Sequence, residues 1–107
     1  MSYVMVMESP SGNQSEYDQV MEKLGFNSEN ADWPQGIINH CAGPTEQGGW
    51  CVVDEWESKE DFQQFFDSKL QNALSGTSMA NVQPKWFEVY NSFGETSEEW
   101  QGQQRAA

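Results

Sequence analysis

A strand that runs directly into a long amphipathic helix is the feature that most constrains the fold of this chain. Residues 48–74 read GGWCVVDEWESKEDFQQFFDSKLQNAL. Side chains of an extended strand alternate between the two faces of a sheet, so one face carries Trp50, Val52, Asp54 and Trp56. Such a face is too aromatic for a solvated surface, and its carboxylate is unusual for a core. The pattern predicts the wall of a cavity or an interface.

The helix of this unit is predicted to begin after the N-cap Ser58 and to stop at Gly76. Glu60 and Asp61 favour its first turn, where the helix dipole is positive. Its apolar residues recur at helical spacing and form one stripe: Phe62, Phe65, Phe66, Leu70, Ala73 and Leu74. A stripe of this kind packs against a sheet, which makes the phenylalanines core residues.

The remaining pattern supplies three more strands and one more helix. Strands are predicted over 3–7, 36–42 and 84–92, and a helix runs from the N-cap Ser15 to Gly25. That helix has its own apolar stripe: Tyr17, Val20, Met21 and Leu24. The order β-α-β-β-α-β predicts an α+β, ferredoxin-like fold, in which two helices cover one face of a four-stranded antiparallel sheet.

The chain is long enough for one domain and too short for two. We expect residues 1–94 to form the domain and residues 95–107 to form a polar tail. Trp100 is the one large apolar residue of the tail, and we expect it to contact a partner subunit. Residues 26–35 lack a clear period and are interpreted as a loop whose aromatic side chains tuck against the domain.

The second face of the sheet is predicted to be open and aromatic. It would carry Trp50 and Trp56, and the last strand would add Trp86 and Tyr90, with Phe87 packed beneath the helices. An exposed aromatic face calls for a partner or a ligand. Homodimerisation through the open sheet face is the simplest closure, because a two-fold axis makes the face self-complementary.

The second and third strands are predicted to pair as a hairpin, which brings a histidine into the same face. In the expected register His40 lies opposite Val52, and it therefore shares a face with Asp54. The same register places Cys41 opposite Cys51 beneath the helices. The two thiols are interpreted as small buried groups in a reducing compartment, with a functional pair as the alternative.

Composition narrows the classes of function. Five Lys and Arg stand against 17 Asp and Glu, a formal net charge of -12, which disfavours nucleic-acid partners and anionic membrane surfaces. No apolar run approaches the roughly 18 residues of a membrane span, and the first residues lack a secretory pattern, so we expect a cytoplasmic location. The acidity fits either simple solubility or a salt-rich cytoplasm.

Motifs for metals and cofactors are also missing from the sequence. The chain has a single histidine and two cysteines with no CxxC spacing, so no metal site is predicted. No dinucleotide fingerprint and no P-loop occur, and we expect no cofactor.

The motif GGWCVVDEWESKEDFQQFF, preceded by the histidine of IINHCAG, resembles the dimeric α+β barrel superfamily. Within it, the similarity is to the antibiotic-biosynthesis-monooxygenase-like branch and extends over residues 3–93. The resemblance implies a homodimer in which two sheets form a barrel. Some members oxidise polyketide quinol precursors with oxygen and no cofactor, others degrade haem, and many have no established activity.

The haem-degrading members match this chain at one position only. They depend on a tryptophan at the end of the third strand, where this chain has Trp56. They also use an asparagine on the first strand and a histidine in the second helix. This chain has Met7 or Glu8 in place of the asparagine, and its second helix has no histidine. We therefore do not expect haem degradation.

The candidate catalytic residues are His40, Asp54 and Trp56. Histidine is the side chain suited to proton transfer near neutrality, and a carboxylate on the same face can orient it. The alternative for His40 is a strand histidine hydrogen-bonded to a neighbour. The alternative for Asp54 is that its carboxylate lies at the rim of the site or in a dimer contact.

The candidate substrate-binding residues are Trp50, Trp86 and Tyr90. Their rings can stack on a flat ligand, and the Tyr90 hydroxyl can donate a hydrogen bond to an oxygen of that ligand. The alternative is that the three residues are aromatics of an interface or of the core. We therefore hold two hypotheses for the protein. The first is cofactor-independent, monooxygenase-like oxidation of a flat, mostly apolar aromatic molecule, and the second is a non-catalytic dimeric module that binds a small ligand or only stabilises an assembly.

Overall fold

A computed structural model of the chain describes residues 1–94. The predicted tail, with Trp100, lies outside the described residues. The elements in chain order are β1 (Tyr3–Ser9), α1 (Gln14–Leu24), β2 (Ile37–Pro44), β3 (Trp50–Trp56), α2 (Lys59–Phe65), a π-helical turn (Phe66–Leu70), α3 (Gln71–Leu74) and β4 (Lys85–Glu88). The strands form one antiparallel sheet in the order β2-β3-β1-β4. The predicted α+β, ferredoxin-like arrangement is confirmed.

The helix ends follow the expected chemistry with one change. Ser58 caps α2 as predicted, and its Oγ accepts a hydrogen bond from the backbone N–H of Asp61 at 3.1 Å. Gly25 ends α1 with φ 77°, a left-handed conformation that glycine adopts at little cost. The N-cap of α1 is Asn13 rather than Ser15; its side chain accepts from the N–H of Glu16 at 2.9 Å.

The second helix is continuous from α2 through the π-helical turn into α3. In a π-helical turn the hydrogen bonds join residues five apart. Phe65 and Leu70 are separated by this interval, and both line the same cavity. The turn therefore keeps the apolar stripe aimed at the sheet where a regular α-helix would rotate it away.

The hairpin of β2 and β3 pairs His40 with Asp54, two residues away from the predicted register. Because the shift is even, the two side chains still share a face. That face lies beneath the helices, so the prediction of an open Trp50–Trp56 face is wrong. Trp56 is fully buried and Trp50 is 9% exposed. Their rings belong to the core cluster that Met5 of β1 completes.

Strand alternation reverses the other predicted faces as well. Cys41 is exposed on the open face rather than buried opposite Cys51. Phe87 also lies on the open face and is 56% exposed, whereas Trp86 packs beneath the helices. Tyr90 follows the end of β4, which is shorter than predicted, and is fully exposed. The open face is thus less aromatic than expected.

The loop between α1 and β2 is folded against the domain, as predicted. Phe26 is buried and stacks on Trp33 with a ring-centroid distance of 4.4 Å, and on Phe65 at 5.9 Å. The loop ends at Gly36, whose φ of 90° and contact with Asp61 leave no room for a side chain. Within residues 1–94, no helix combines the length and the apolar character needed to span a membrane.

Candidate functional site

A small cavity of about 70 Å³ lies between the sheet and the helices. Most of its wall is apolar and aromatic. Four side chains that can form hydrogen bonds also reach it and matter for the chemistry: Tyr17, His40, Trp50 and Asp54. For comparison, an apolar cavity of about 150 Å³ holds benzene. A full aromatic ring therefore fits only when part of the wall moves outward.

A chain of hydrogen bonds joins three of these side chains. His40 Nδ1 lies 2.6 Å from Asp54 Oδ1, and His40 Nε2 lies 2.5 Å from the hydroxyl oxygen of Tyr17. An ionised carboxylate only accepts hydrogen bonds, so Nδ1 carries the proton that faces Asp54. In the neutral ring Nε2 is then an acceptor, and the Tyr17 hydroxyl donates to it. The order Asp54–His40–Tyr17 is that of a proton relay.

Asp54 is held from behind by Trp56. The indole N–H of Trp56 donates to Asp54 Oδ2 at 3.3 Å. Both residues are buried, with Asp54 6% exposed, so these bonds compensate much of the cost of removing a carboxylate from water. Trp56 does not line the cavity. It acts on the site by positioning Asp54.

Tyr17 is the end of the relay and its environment favours the neutral phenol. Burial raises the pKa of Tyr17 above its ordinary value, and the negative charge of Asp54 raises this pKa further. At neutral pH the hydroxyl is therefore a hydrogen-bond donor. It becomes a base only when His40 takes its proton as it accepts another.

Trp50 closes the cavity beside Tyr17. The two rings lie at a tilted angle with centroids 5.4 Å apart. The indole N–H of Trp50 is buried and has no hydrogen-bond acceptor among the described residues. Most buried N–H groups have one, so this donor is notable.

The loop that carries Trp33 covers the outer end of the cavity. Trp33 lies 5.2 Å from His40 between ring centroids, and it is 38% exposed. Phe26, Trp33, Pro34 and Phe65 line the cavity on one side and an open outer groove on the other. These four residues form an aromatic wall that separates the cavity from the outer groove.

The structure brings together four of the six site residues predicted from sequence. Among the predicted site residues, His40, Asp54 and Trp50 line one cavity, with Trp56 directly behind it. The other two lie elsewhere. Trp86 packs edge-on to a core phenylalanine with centroids 5.4 Å apart, and Tyr90 points into solvent.

Tyr17 and Trp33 contact His40 at the cavity but were not among the predicted site residues. Tyr17 fits the apolar stripe of α1, and only its hydroxyl distinguishes it from the other members of that stripe. Trp33 lies in a loop without periodicity. A polar group inside an apolar stripe is the signal that would have identified Tyr17.

No cluster of three or more His, Cys, Asp or Glu side chains able to hold a metal ion occurs within residues 1–94. The cavity side chains instead suit hydrogen bonding and proton transfer. No protein-family model and no curated protein sequence matches the chain.

Solved structures of other proteins share this architecture at low sequence identity. SnoaB, a cofactor-independent oxygenase from Streptomyces nogalater, aligns with a TM-score of 0.61 and 11% identity, over 88% of this chain and 98% of its own. A protein from Chloroflexus aurantiacus, described as an antibiotic biosynthesis monooxygenase, aligns with a TM-score of 0.59 and 13% identity, over 88% of this chain and 98% of its own.

The chain has the antibiotic biosynthesis monooxygenase-like fold. The resemblance drawn from the residues is thereby confirmed at the level of the fold. The same fold carries other chemistry: a hydroxynitrile lyase from Passiflora edulis aligns with a TM-score of 0.57 and 13% identity, over 86% of this chain and 96% of its own. Fold alone therefore does not choose the reaction.

Proposed function

We propose that the protein is a cofactor-independent enzyme that removes a proton from a small, mostly apolar aromatic molecule and promotes its oxidation by dioxygen. The observation that carries the proposal is the Asp54–His40–Tyr17 hydrogen-bond chain, which ends at a cavity. The likeness in fold to a cofactor-independent oxygenase supports it.

The first step is proton transfer along the relay. The Tyr17 oxygen accepts a proton from a substrate hydroxyl while the Tyr17 proton moves to His40 Nε2. The imidazolium that forms is stabilised by Asp54, which stays ionised. The step leaves a substrate anion in the cavity and preserves the total charge.

The anion is the species that reacts with dioxygen. For a simple phenol, one oxygen atom of dioxygen becomes bonded to a ring carbon and the other leaves as water, and the product is a quinone. The electrons come from the substrate, so the protein needs no redox centre. Its residues orient the ring, remove the proton and exclude bulk water.

A ring enters by displacing Phe26 and Trp33, the loop residues of the aromatic wall. Both belong to the segment between α1 and β2, which has no helix or strand, and they separate the cavity from the outer groove. Most of the remaining cavity wall is built on helices and strands, and these carry all three residues of the relay. Opening of the loop therefore enlarges the site without disturbing the relay.

The test is oxygen consumption and quinone absorbance with a panel of phenols and quinols. Wild type is compared with Tyr17→Phe, His40→Ala and Asp54→Asn. General acid–base groups contribute about 10²- to 10⁴-fold to rate, and we expect losses in this range for the first two variants. Tyr3→Phe is the matched control, because Tyr3 is half-buried but does not line the cavity.

Equal rates in wild type and His40→Ala would exclude the proposed relay. If wild type binds the phenols but consumes no oxygen with any of them, the protein is instead a non-catalytic ligand-binding module.

We also propose that the protein is a homodimer that pairs through its open sheet face. Register places Val4, Val6, Val53 and Phe87 on that face, beside the charged Glu8, Glu55 and Lys85, and the helices leave these apolar side chains uncovered. Light scattering of wild type and Phe87→Glu tests this, and a wild-type monomer at micromolar concentration would contradict it.

A cytoplasmic location is part of the proposal and fits the two free thiols.

A further inference from the structure

We propose that the indole N–H of Trp50 binds a second oxygen of the substrate, so that the substrate carries a neutral hydrogen-bond-accepting oxygen in addition to its ionisable hydroxyl. The inference rests on the proposed function and specifies its substrate class. Trp50 is then a positioning and specificity-determining residue. The relay of Asp54, His40 and Tyr17 remains the proton-transfer machinery.

The first support is the unpaired donor itself. Trp50 is 9% exposed, and its Nε1 atom is buried without a hydrogen-bond partner among residues 1–94. The indole N–H of Trp56, on the same strand, is bonded to Asp54. An N–H left unpaired in a core is unfavourable. Because Trp50 lines the cavity, we expect its buried donor to be paired when the cavity is filled.

The second support is that the backbone holds the Trp50 side chain in place. A Cβ atom at Gly12 would lie 2.9 Å from the Cβ of Trp50, so the β1–α1 turn presses against the base of the side chain. Tyr17 packs on the ring with a centroid distance of 5.4 Å. A fixed donor beside the relay orients a ligand more strictly than a mobile one.

The third support is the charge around the cavity. Two acidic residues, Glu16 and Asp54, line the cavity. None of the described residues that line it is Lys or Arg. A carboxylate or phosphate on the substrate would meet this negative potential without a counter-charge. The accepting oxygen is therefore neutral, as in a ketone, a quinone, an ester or an ether.

The experiment compares two phenols of similar size, 4-hydroxyacetophenone and 4-ethylphenol, of which only the first has a carbonyl oxygen. Calorimetric titration of wild type should give a Kd about 3- to 10-fold lower for the ketone, the range expected for one net hydrogen bond. Trp50→Phe keeps the aromatic ring without the N–H and should make the two affinities equal. Tyr17→Phe should retain the preference for the ketone.

A second readout does not depend on the folding of a variant. In ¹⁵N-labelled wild type, the indole N–H resonance of Trp50 should move downfield with the ketone and not with 4-ethylphenol. Equal affinities in wild type, no binding of either phenol, or an unmoved Trp50 resonance at saturation would each overturn the inference. Failure of the proposed function has a different signature: the preference for the ketone persists, but oxygen consumption is absent or independent of Tyr17.

Discussion

Replacing Asp54 by asparagine tests whether the buried carboxylate stabilises the arrangement around His40. Asp54 accepts from His40 Nδ1 at 2.6 Å and from Trp56 Nε1 at 3.3 Å, and its side chain is 8% exposed. Asparagine has nearly the same shape but only one oxygen. Whichever way the amide turns, its NH₂ group faces one of the two N–H donors.

The expected loss follows from these two contacts. A hydrogen bond to a charged group contributes about 1.5–3 kcal/mol, and a buried donor left unpaired costs about 1–3 kcal/mol. The neutral amide recovers part of this sum, because a carboxylate is the more costly group to bury. We expect Asp54→Asn to lower the free energy of unfolding by about 2 kcal/mol.

Urea denaturation followed by circular dichroism measures this change, with an unaltered m-value as the check on two-state behaviour. Asp67→Asn is the matched control, because Asp67 is exposed and bonds only to the side chain of Gln63 among the described residues. We expect it to change stability by less than about 0.5 kcal/mol. If Asp54→Asn is as stable as wild type, the carboxylate does not hold His40 in place and the relay loses its support.

Three further substitutions test other parts of the structure. Because the pKa of Tyr17 is raised in the folded protein, the unfolded chain loses the tyrosine proton first. The free energy of unfolding therefore falls as pH rises above the ordinary pKa of tyrosine. Urea denaturation at a series of alkaline pH values should show a shallower fall in Tyr17→Phe than in wild type. Trp56→Phe removes the N–H that donates to Asp54 and leaves a cavity in the core. Thermal unfolding should show a free energy of unfolding lower by about 2–3 kcal/mol; a decrease below about 0.5 kcal/mol would contradict the packing described. Gly36→Ala forces a side chain into a left-handed position against Asp61, and calorimetry should show a lower Tm, by an amount equivalent to at least about 1 kcal/mol; an unchanged Tm would be inconsistent with this turn.

The sequence predicted the elements of the fold because their signals are local. Ser58 and Gly25 mark helix ends through their own hydrogen bonds and backbone freedom. His40 and Asp54 were expected on one face, and they share one despite a shift in register, because alternation depends only on whether the shift is odd or even.

The sequence could not predict which face of the sheet lies beneath the helices. Both faces of β3 have apolar side chains, and alternation fixes which residues go together without fixing their direction. Packing decides it: Trp50 and Trp56 fill the space under the phenylalanine stripe, and smaller residues such as Val53 face outward. Tyr17 was missed for a related reason, because its ring satisfies the helical pattern and only tertiary contacts bring its hydroxyl to His40.

The protonation of the His40 ring is the most direct test of the relay. His40 is the only histidine of the chain, so its ring nitrogen resonances need no assignment among competing residues. In the neutral form of the ring, ¹⁵N NMR should show a protonated Nδ1 and an unprotonated, hydrogen-bonded Nε2, and the Nε2 signal should shift in Tyr17→Phe. A ring protonated at Nε2 instead, or an Nε2 signal identical in wild type and Tyr17→Phe, would contradict the Asp54–His40–Tyr17 relay.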